Sequence, residues 1–424
     1  MLALGSSQEV IENQIKAGNV QFDISSFMTD VVLADLNSPV HEFLLGRCLW
    51  VASKFPGHLQ PHTITSFLQG TVLGLGQDQK ASVRISAVRA IWGFCHHLKS
   101  KNVSDGSKQL LVPLLPALLD GLVNMAQDYS KSAEILGLIL ENLAVVLTCD
   151  PQFTASQEAK VSPLAIAIFL NYNSDPVITS LSQDIFKVLA SNPACSVSLQ
   201  NRLVPTLVSI LGAKEDKNGL KGIALDVQSS LVRAAPLPLS DQLLNTMFPA
   251  AIQVTLTTDD NTVLQAGGEC LRSYISVAPE QVAAFTDNHG KSGLVHIIAV
   301  AEHLLNPIGS EFSATFVGRL VTTLIQKIGP NMLGDNMDLL LKAVLSKLTG
   351  ARTLSVIQSL LMVYAQLFHS QMDAVLQFLS NVPGLNKVLW LNFFNHVIRP
   401  HWNQCSTVRH DRVGLQTSKL LWIL

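Results

Sequence analysis

The chain is poor in aromatic residues, in charged residues and in long apolar runs. Of its 424 residues, 6% are aromatic and 14% are charged, whereas 48% are hydrophobic. The alternation of Val, Ile, Tyr and Phe that is typical of β-sheets is scarce, and Leu and Ala, which favour helix, are abundant. Because no uninterrupted run of about 18 apolar residues occurs, we expect no membrane insertion. These absences predict an all-α protein.

Closely spaced cysteines are also missing. The six cysteines lie far apart, and neither a CxxC motif nor a signal peptide occurs, so we expect free thiols in an intracellular protein. Residues 95–97 (Cys-His-His) have no second ligand cluster nearby in the sequence, which argues against a zinc site. Residues 290–292 (Gly-Lys-Ser) imitate the end of a phosphate-binding loop, but Phe285 stands where that loop requires glycine. We therefore expect no metal, no cofactor and no enzymatic activity.

Charge is unevenly distributed along the chain. The net charge of the whole chain is −2. The last forty residues hold five basic residues and one acidic residue, Asp411, so their net charge is +4 and that of residues 1–384 is −6. The five basic residues are Lys387, Arg399, Arg409, Arg412 and Lys419. A mildly acidic body argues against direct nucleic-acid binding and is compatible with basic protein partners.

Four acidic residues recur at regular intervals. Glu141, Asp184, Asp226 and Glu269 are 43, 42 and 43 residues apart, each within a segment that has helical apolar periodicity. A repeat of this length indicates antiparallel helical pairs stacked in a row, and the chain is longer than the roughly 250 to 300 residues that one core supports. We predict a HEAT-repeat (ARM-type) α-solenoid, a right-handed superhelix of about eight helical hairpins over residues 1–384.

The second helix of each hairpin can be placed from caps and periodicity. We predict Asp78, Asp175 and Asp260 as helix caps and Pro205 early in a first helix. We also predict that the first five cysteines fill space in second helices: Cys48, Cys95, Cys149, Cys195 and Cys270. The clearest helical pair covers residues 60–99, and the other predicted second helices lie near residues 38–53, 131–148, 175–191, 218–234, 261–277, 312–328 and 352–369.

Several stretches resemble the importin-beta (karyopherin-beta) family. They include residues 82–93 (SVRISAVRAIWG), 258–261 (TDDN), 267–274 (GGECLRSY), 316–325 (FVGRLVTTLI) and 354–363 (LSVIQSLLMV). The resemblance extends over residues 1–384. It implies a nuclear transport receptor found in cytoplasm and nucleus, with basic cargo such as histones and ribosomal proteins, control by the small GTPase Ran, and nuclear pore proteins as further partners.

The resemblance does not cover the whole family. The chain opens where the family is already within its array, so we expect weak or no Ran-GTP binding. Residues 385–424 form a divergent tail, interpreted as disordered, as a terminal helix or as an alternative terminus. A non-transport HEAT scaffold and a truncated isoform without Ran binding are the alternatives. The identity of the cargo is not encoded in any motif.

The acidic series has two interpretations. In the first, Glu141, Asp184, Asp226 and Glu269 line the inner surface and attract Lys- and Arg-rich cargo. In the second, each acid bonds a neighbouring helix end or arginine and only supports the stack.

A second cluster also has two interpretations. Arg84, Arg89 and Trp92 follow one another at helical spacing. They suit either an aromatic and arginine peptide site or a core tryptophan covered by arginine stems, and we expect the core arrangement.

Overall fold

The computed structural model describes residues 1–19, 21–38, 41–100, 109–216 and 219–380. Over these ranges the chain folds into α-helices joined by turns, with an isolated β-bridge between Thr286 and Ser292 as the only extended pairing. The all-α prediction is confirmed. Two compact units are formed, Met1–Thr206 with Ala234–Pro236, and Leu207–Arg233 with the described residues from Leu237 onward. The predicted tail, 385–424, lies outside the described residues.

The first unit contains short helices followed by long helical hairpins. Its helices are α1 Leu2–Ser6, α2 Gln8–Lys16, α3 Ile24–Phe27, α4 Leu33–Asn37, α5 Glu42–Ala52, α6 Pro61–Gly74, α7 Ala81–Lys99, α8 Leu115–Asp128, α9 Ala133–Leu147, α10 Pro151–Asn171, α11 Pro176–Ser191 and α12 Pro193–Leu211, the last of which ends in the second unit. Within each hairpin the first helix packs on the second, as in α6 with α7, α8 with α9 and α10 with α11. The second helices α5, α7, α9 and α11 also pack on one another in sequence order.

The second unit repeats this arrangement. Its helices are α13 Leu220–Ala234, α14 Phe248–Thr257, α15 Asn261–Val277, α16 Pro279–Ala284, α17 Gly293–Leu304, α18 Glu311–Ala314, α19 Val317–Ile328, α20 Pro330–Leu333, α21 Asn336–Gly350 and α22 Leu354–Ser380, which is kinked at Gln371. The hairpins pair α14 with α15, α17 with α19 and α21 with α22. The second helices α15, α19 and α22 pack in turn.

Hydrogen bonds between consecutive hairpins reveal the repeat length directly. In the first unit, Tyr172 Oη donates to the Ser130 carbonyl oxygen 42 residues earlier, at 2.7 Å. In the second unit, the Ser229 and Ser273 hydroxyls, 44 residues apart, lie 2.8 Å from each other. Gln281 Nε2 bonds the Leu239 carbonyl oxygen over 42 residues. These separations match the interval of the acidic series and support the HEAT interpretation, since HEAT units span about 40 to 47 residues.

Buried polar groups lock the second unit internally. Tyr274 Oη donates to the Leu243 carbonyl oxygen at 2.7 Å and accepts from Gln228 Nε2 at 2.9 Å. Gln228 Nε2 also donates to the Met247 carbonyl oxygen at 2.8 Å. Both carbonyls belong to a π-helical turn, Gln242–Met247, whose altered spacing frees backbone oxygens for side-chain donors. The network therefore ties α13 and α15 to the segment that precedes α14.

The predicted helix starts are partly right. Asp175 accepts from the Val177 and Ile178 amides, and Asp260 caps α15 in the same way, as predicted. Asp78 does not cap α7, because the helix begins at Ala81 and its N-cap residue is Lys80. Pro205 lies inside α12, because that helix begins at Pro193. Asp78 misses the true N-cap by two positions, whereas Pro205 lies twelve positions after the helix start.

The cysteine prediction also needs correction. Cys48, Cys95 and Cys270 are buried in second helices as predicted. Cys195 instead lies in α12, which is a first helix, and Cys149 follows the end of α9 at Leu147. All five are free thiols.

Candidate functional site

A crevice opens across three consecutive second helices of the first unit. It crosses α5, α7 and α9, which pack side by side, and its volume is about 270 Å³. Two indole rings, two cations, one carboxylate, one amide and one aliphatic side chain line it: Trp50, Trp92, Lys54, Arg89, Glu141, Asn142 and Leu138. Each lining residue lies on a second helix except Lys54, which follows the end of α5.

Trp92 is on the surface and not in the core. Its side chain is 41% exposed and stacks on His96 with the ring centroids 4.8 Å apart. Ile91 and Cys95 fill the core side of α7, and Trp92 points about 100° away from Ile91 around the helix axis. The expectation of a core tryptophan was therefore wrong.

Arg84 does not cover Trp92 either. Its side chain is buried, and Nη2 forms an ion pair of 2.8 Å with Asp128. The guanidinium also lies 5.5 Å from the centre of the Tyr129 ring. Arg84 thus links α7 to the end of α8, whereas Arg89 is exposed and reaches the crevice.

Trp50 supplies the other aromatic wall. Arg47 and Lys54 lie over its ring, 5.7 Å and 5.8 Å from the centroid. Cations at this distance are attracted to the indole face. The aromatic part of the crevice is therefore already surrounded by positive charge.

Asn142 places a buried amide at the floor of the crevice. The residue is 1% exposed, and its Nδ2 donates to the Leu138 carbonyl oxygen at 2.8 Å. Within the described ranges its Oδ1 has no hydrogen-bond partner. Leaving a buried amide oxygen without a hydrogen-bond donor costs about 1 to 3 kcal/mol of folding free energy. An N–H group that reached this oxygen would therefore form a favourable hydrogen bond.

Two members of the acidic series belong to the first unit. Glu141 is exposed and lines the crevice, and no ion pair or hydrogen bond of its side chain occurs among the described residues. Asp184, on the next second helix, forms an ion pair of 2.9 Å with Lys187 one turn along the same helix. About half of the Asp184 side chain is exposed, so this pair contributes little to stability.

The other two acids belong to the second unit. Glu269 on α15 pairs with Arg272 of the same helix at 2.9 Å. Asp226 on α13 is an exposed residue, yet surrounding atoms desolvate its carboxyl and raise its pKa, an effect that Arg233 opposes and Glu269 reinforces. Asp226 and Glu269 thus lie close enough to repel each other. Within the described ranges neither Asp184 nor Glu269 bonds a neighbouring helix end, but Glu269 does bond an arginine, as the supporting interpretation allows.

The sequence contains a signal for the crevice that belongs to none of the motifs described above. Arg47 and Trp50 form an Arg-x-x-Trp pair, and Arg89 and Trp92 repeat this pair 42 residues later. Equivalent positions in adjacent second helices face the same side of a stack. No sequence pattern distinguishes Asn142, because its distinctive property is that its Oδ1 lacks a hydrogen-bond partner among the described residues.

The described residues provide neither a metal-binding cluster nor a membrane-spanning helix. In the described part of the chain no group of three or more His, Cys, Asp or Glu side chains is placed to hold a metal ion. No helix there combines the length and the apolarity that crossing a bilayer requires.

Comparison with known proteins connects this geometry to one family. A family model described as "Importin-11-like, TPR repeats" matches residues 191–412. The sequence is 42% identical to Importin-9 of Drosophila melanogaster over 379 residues, which is 88% of this chain and 36% of that protein. It is 25% identical to Importin subunit beta-5 of Schizosaccharomyces pombe over 305 residues, which is 72% of this chain and 29% of that protein. The chain thus spans about a third of the length of these relatives.

Solved structures share the fold. The exportin Cse1 in its cargo-free, cytoplasmic state superposes with a TM-score of 0.61 at 16% identity, covering 89% of this chain and 39% of Cse1. Kap121p bound to Ste12p gives a TM-score of 0.57 at 16% identity, covering 87% of this chain and 37% of Kap121p. At this identity the likeness concerns the fold, a HEAT-repeat α-solenoid.

Proposed function

Since the chain belongs to the importin-beta family, we propose that it is part of a nuclear transport receptor that binds basic protein cargo through carboxylates on its second helices. Histones and ribosomal proteins are the cargo classes that fit, because their surfaces are rich in Lys and Arg. The receptor would shuttle between cytoplasm and nucleus. It would act without enzymatic chemistry, by binding and release alone.

One observation carries the proposal. Importin-9 of Drosophila melanogaster is 42% identical to this chain over 88% of the chain, so most of the chain corresponds to importin sequence. Among proteins of the same fold, Kap121p has been crystallised with RanGTP and with Nup53p. We extend Ran and nuclear pore proteins to this receptor as proposed partners of the whole protein, of which this chain spans about a third.

The acids of the second unit suit a basic ligand. Burial and the charge of Glu269 raise the pKa of Asp226, so its ionised form is disfavoured in the free protein. A Lys or Arg side chain placed beside both carboxylates would favour the ionised form and remove their repulsion. Cargo binding would therefore strengthen as the pH rises through the Asp226 titration.

The spacing of the series recurs in a protein of the same fold. One matched structure is of a Kap121p mutant in which three acidic residues, 43 and 42 positions apart, are changed to lysine. These intervals equal those from Glu141 to Asp184 and from Asp184 to Asp226. Because the repeat length alone can produce equal intervals, the role of these acids needs a direct test.

The test replaces all four acids at once. The variant carries the substitutions Glu141→Gln, Asp184→Asn, Asp226→Asn and Glu269→Gln, and its binding to a fluorescent histone dimer is measured by anisotropy at low and high salt. We expect an affinity loss of at least tenfold at low salt that shrinks at high salt, since exposed charges act over about 10 Å at 0.1 M salt.

A matched variant separates position from net charge. Four other acids, exposed and outside the series, give the same charge change: Asp259→Asn, Glu280→Gln, Glu302→Gln and Asp338→Asn. We expect this control to retain most of the affinity. Equal losses in the two variants would reduce the effect to net charge and remove the proposed site.

A second measurement tests whether Ran controls the release of cargo from this chain. The histone complex is immobilised and washed with Ran loaded with GTP or with GDP. Release by the GTP form alone would indicate that this chain contains enough of the receptor for Ran control. Retention with both forms would place that control outside this third of the protein.

A further inference from the structure

The crevice between α5, α7 and α9 has a charge opposite to that expected for a basic-cargo site. Lys54 and Arg89 line it, and Arg47 lies over its Trp50 wall. Against these three cations stands one carboxylate, that of Glu141. A Lys- or Arg-rich segment would meet net repulsion there.

The cations are available for a ligand. Within the described ranges Lys54 and Arg89 form no ion pair, and the Lys54 ammonium lies 5.8 Å from the centre of the Trp50 ring. Both side chains line the crevice, so the Lys54 ammonium and the Arg89 guanidinium can bond a carboxylate that enters it. Hydrogen bonds between ionised partners are roughly twice as strong as neutral ones, and arginine can bind a carboxylate through two parallel bonds.

The floor and walls of the crevice match the other parts of an extended peptide. Asn142 Oδ1 is buried without a donor and would accept one backbone N–H. The Trp50 and Trp92 rings offer apolar faces, and tryptophan surfaces are frequent anchors at peptide interfaces. The two rings and two arginines follow the 42-residue repeat, which spaces like groups along the stacked helices.

We propose that this crevice binds an extended acidic segment of a partner protein, with carboxylates on Arg89 and Lys54, an apolar side chain between Trp50 and Trp92, and one backbone N–H on Asn142. The site differs in chemistry from the basic-cargo surface proposed above and does not depend on it. Glu141 lies at both, and its roles are opposite. It would attract a basic cargo and repel an acidic segment.

The experiment uses the full 424-residue chain and two labelled peptides. One peptide alternates glutamate with leucine and glycine, and the other has lysine in place of every glutamate. Fluorescence anisotropy is measured at low salt and at high salt. We expect the acidic peptide to bind more tightly than the basic one, with an affinity that falls as salt is added.

Four variants locate the binding. Arg89→Glu and Trp92→Ala should each weaken acidic-peptide binding about tenfold, and Asn142→Leu should weaken it several-fold. Glu141→Gln should strengthen it about two- to fivefold, because one repulsive charge is removed. The matched control is Lys131→Glu, an exposed residue that precedes α9 and does not line the crevice.

The possible results distinguish binding in the crevice from nonspecific attraction by surface charge. An unchanged affinity for Lys131→Glu, combined with the losses above and wild-type circular dichroism, supports the proposal. Tighter binding of the basic peptide, equal losses in Arg89→Glu and Lys131→Glu, or no binding of the acidic peptide at millimolar protein would overturn it. Histone binding is tested with a different ligand and with three acids outside the crevice, Asp184, Asp226 and Glu269, so the two proposals can fail separately.

Discussion

Gly93 allows the packing of neighbouring second helices to be tested with a single methyl group. It lies in the middle of α7, where this helix passes the end of α5. A Cβ atom added to Gly93 would overlap the Ser53 carbonyl oxygen and lie 2.9 Å from both the carbonyl carbon and the Cβ of Ser53. The overlapping atoms belong to the backbone, so no side-chain rotation relieves the clash.

The expected cost of Gly93→Ala follows from two opposing effects. Alanine in place of glycine stabilises a helix interior by up to about 1 kcal/mol. Overpacking a tight contact costs about 1 to 3 kcal/mol, and the upper value applies because backbone must move. The net destabilisation is therefore about 2 kcal/mol, which corresponds to a decrease of about 4 to 8 °C in Tm for a unit of this size.

Gly137→Ala is the matched control for this prediction. Gly137 lies in α9, the next second helix, and the atoms nearest to an added Cβ are side-chain methyls of Leu181 and Ile178 at 3.6 and 3.7 Å. These are ordinary contacts, so alanine should stabilise by about 0.5 to 1 kcal/mol. Thermal unfolding followed by circular dichroism measures both variants. A Gly93→Ala protein as stable as Gly137→Ala would refute the close approach of α7 to α5.

Three further substitutions test the polar contacts of the second unit. Tyr274→Phe leaves the buried Leu243 carbonyl oxygen without its donor, so chemical denaturation should show a loss of about 1 to 3 kcal/mol. Asp226→Asn should increase stability at pH 7, because the raised pKa of Asp226 means that the folded protein loses stability as this group ionises; the gain should disappear below the ordinary aspartate pKa of 3.8 in pH-dependent melting. Hydrogen bonds from the Thr353 side chain and from the Arg352 and Thr353 amides lower the pKa of Glu311, so Glu311→Gln should reduce Tm at pH 7 and lose this effect as the pH falls below the ordinary glutamate pKa of 4.5.

The helical repeat could be predicted because local sequence determines it. Asp175 and Asp260 stand immediately before their helices, where a carboxylate accepts the first free amides. Apolar periodicity then places the helix that follows, as in Pro176–Ser191 and Asn261–Val277. A helix start without a capping side chain has no local sequence signal, as at Lys80 before α7, and its position is predicted less accurately.

The candidate sites depend on contacts that no local pattern contains. Trp92 has the apolar character of a core residue, and only the packing of α5 and α9 beside α7 leaves it exposed. The importance of Asn142 lies in an oxygen whose partner is missing, which the sequence does not express. The partners of Asp184 and Glu269 proved to be basic residues three positions along the same helix, a spacing that the sequence does show.

Hydrogen exchange measured by mass spectrometry on the complex with a histone dimer tests the central claim most directly. The account places cargo across the second helices, so exchange should slow in peptides from α9, α11, α13 and α15 more than in those from α8, α10 and α14. Slower exchange concentrated in the first helices, or no change in any helix at saturating histone, would contradict it.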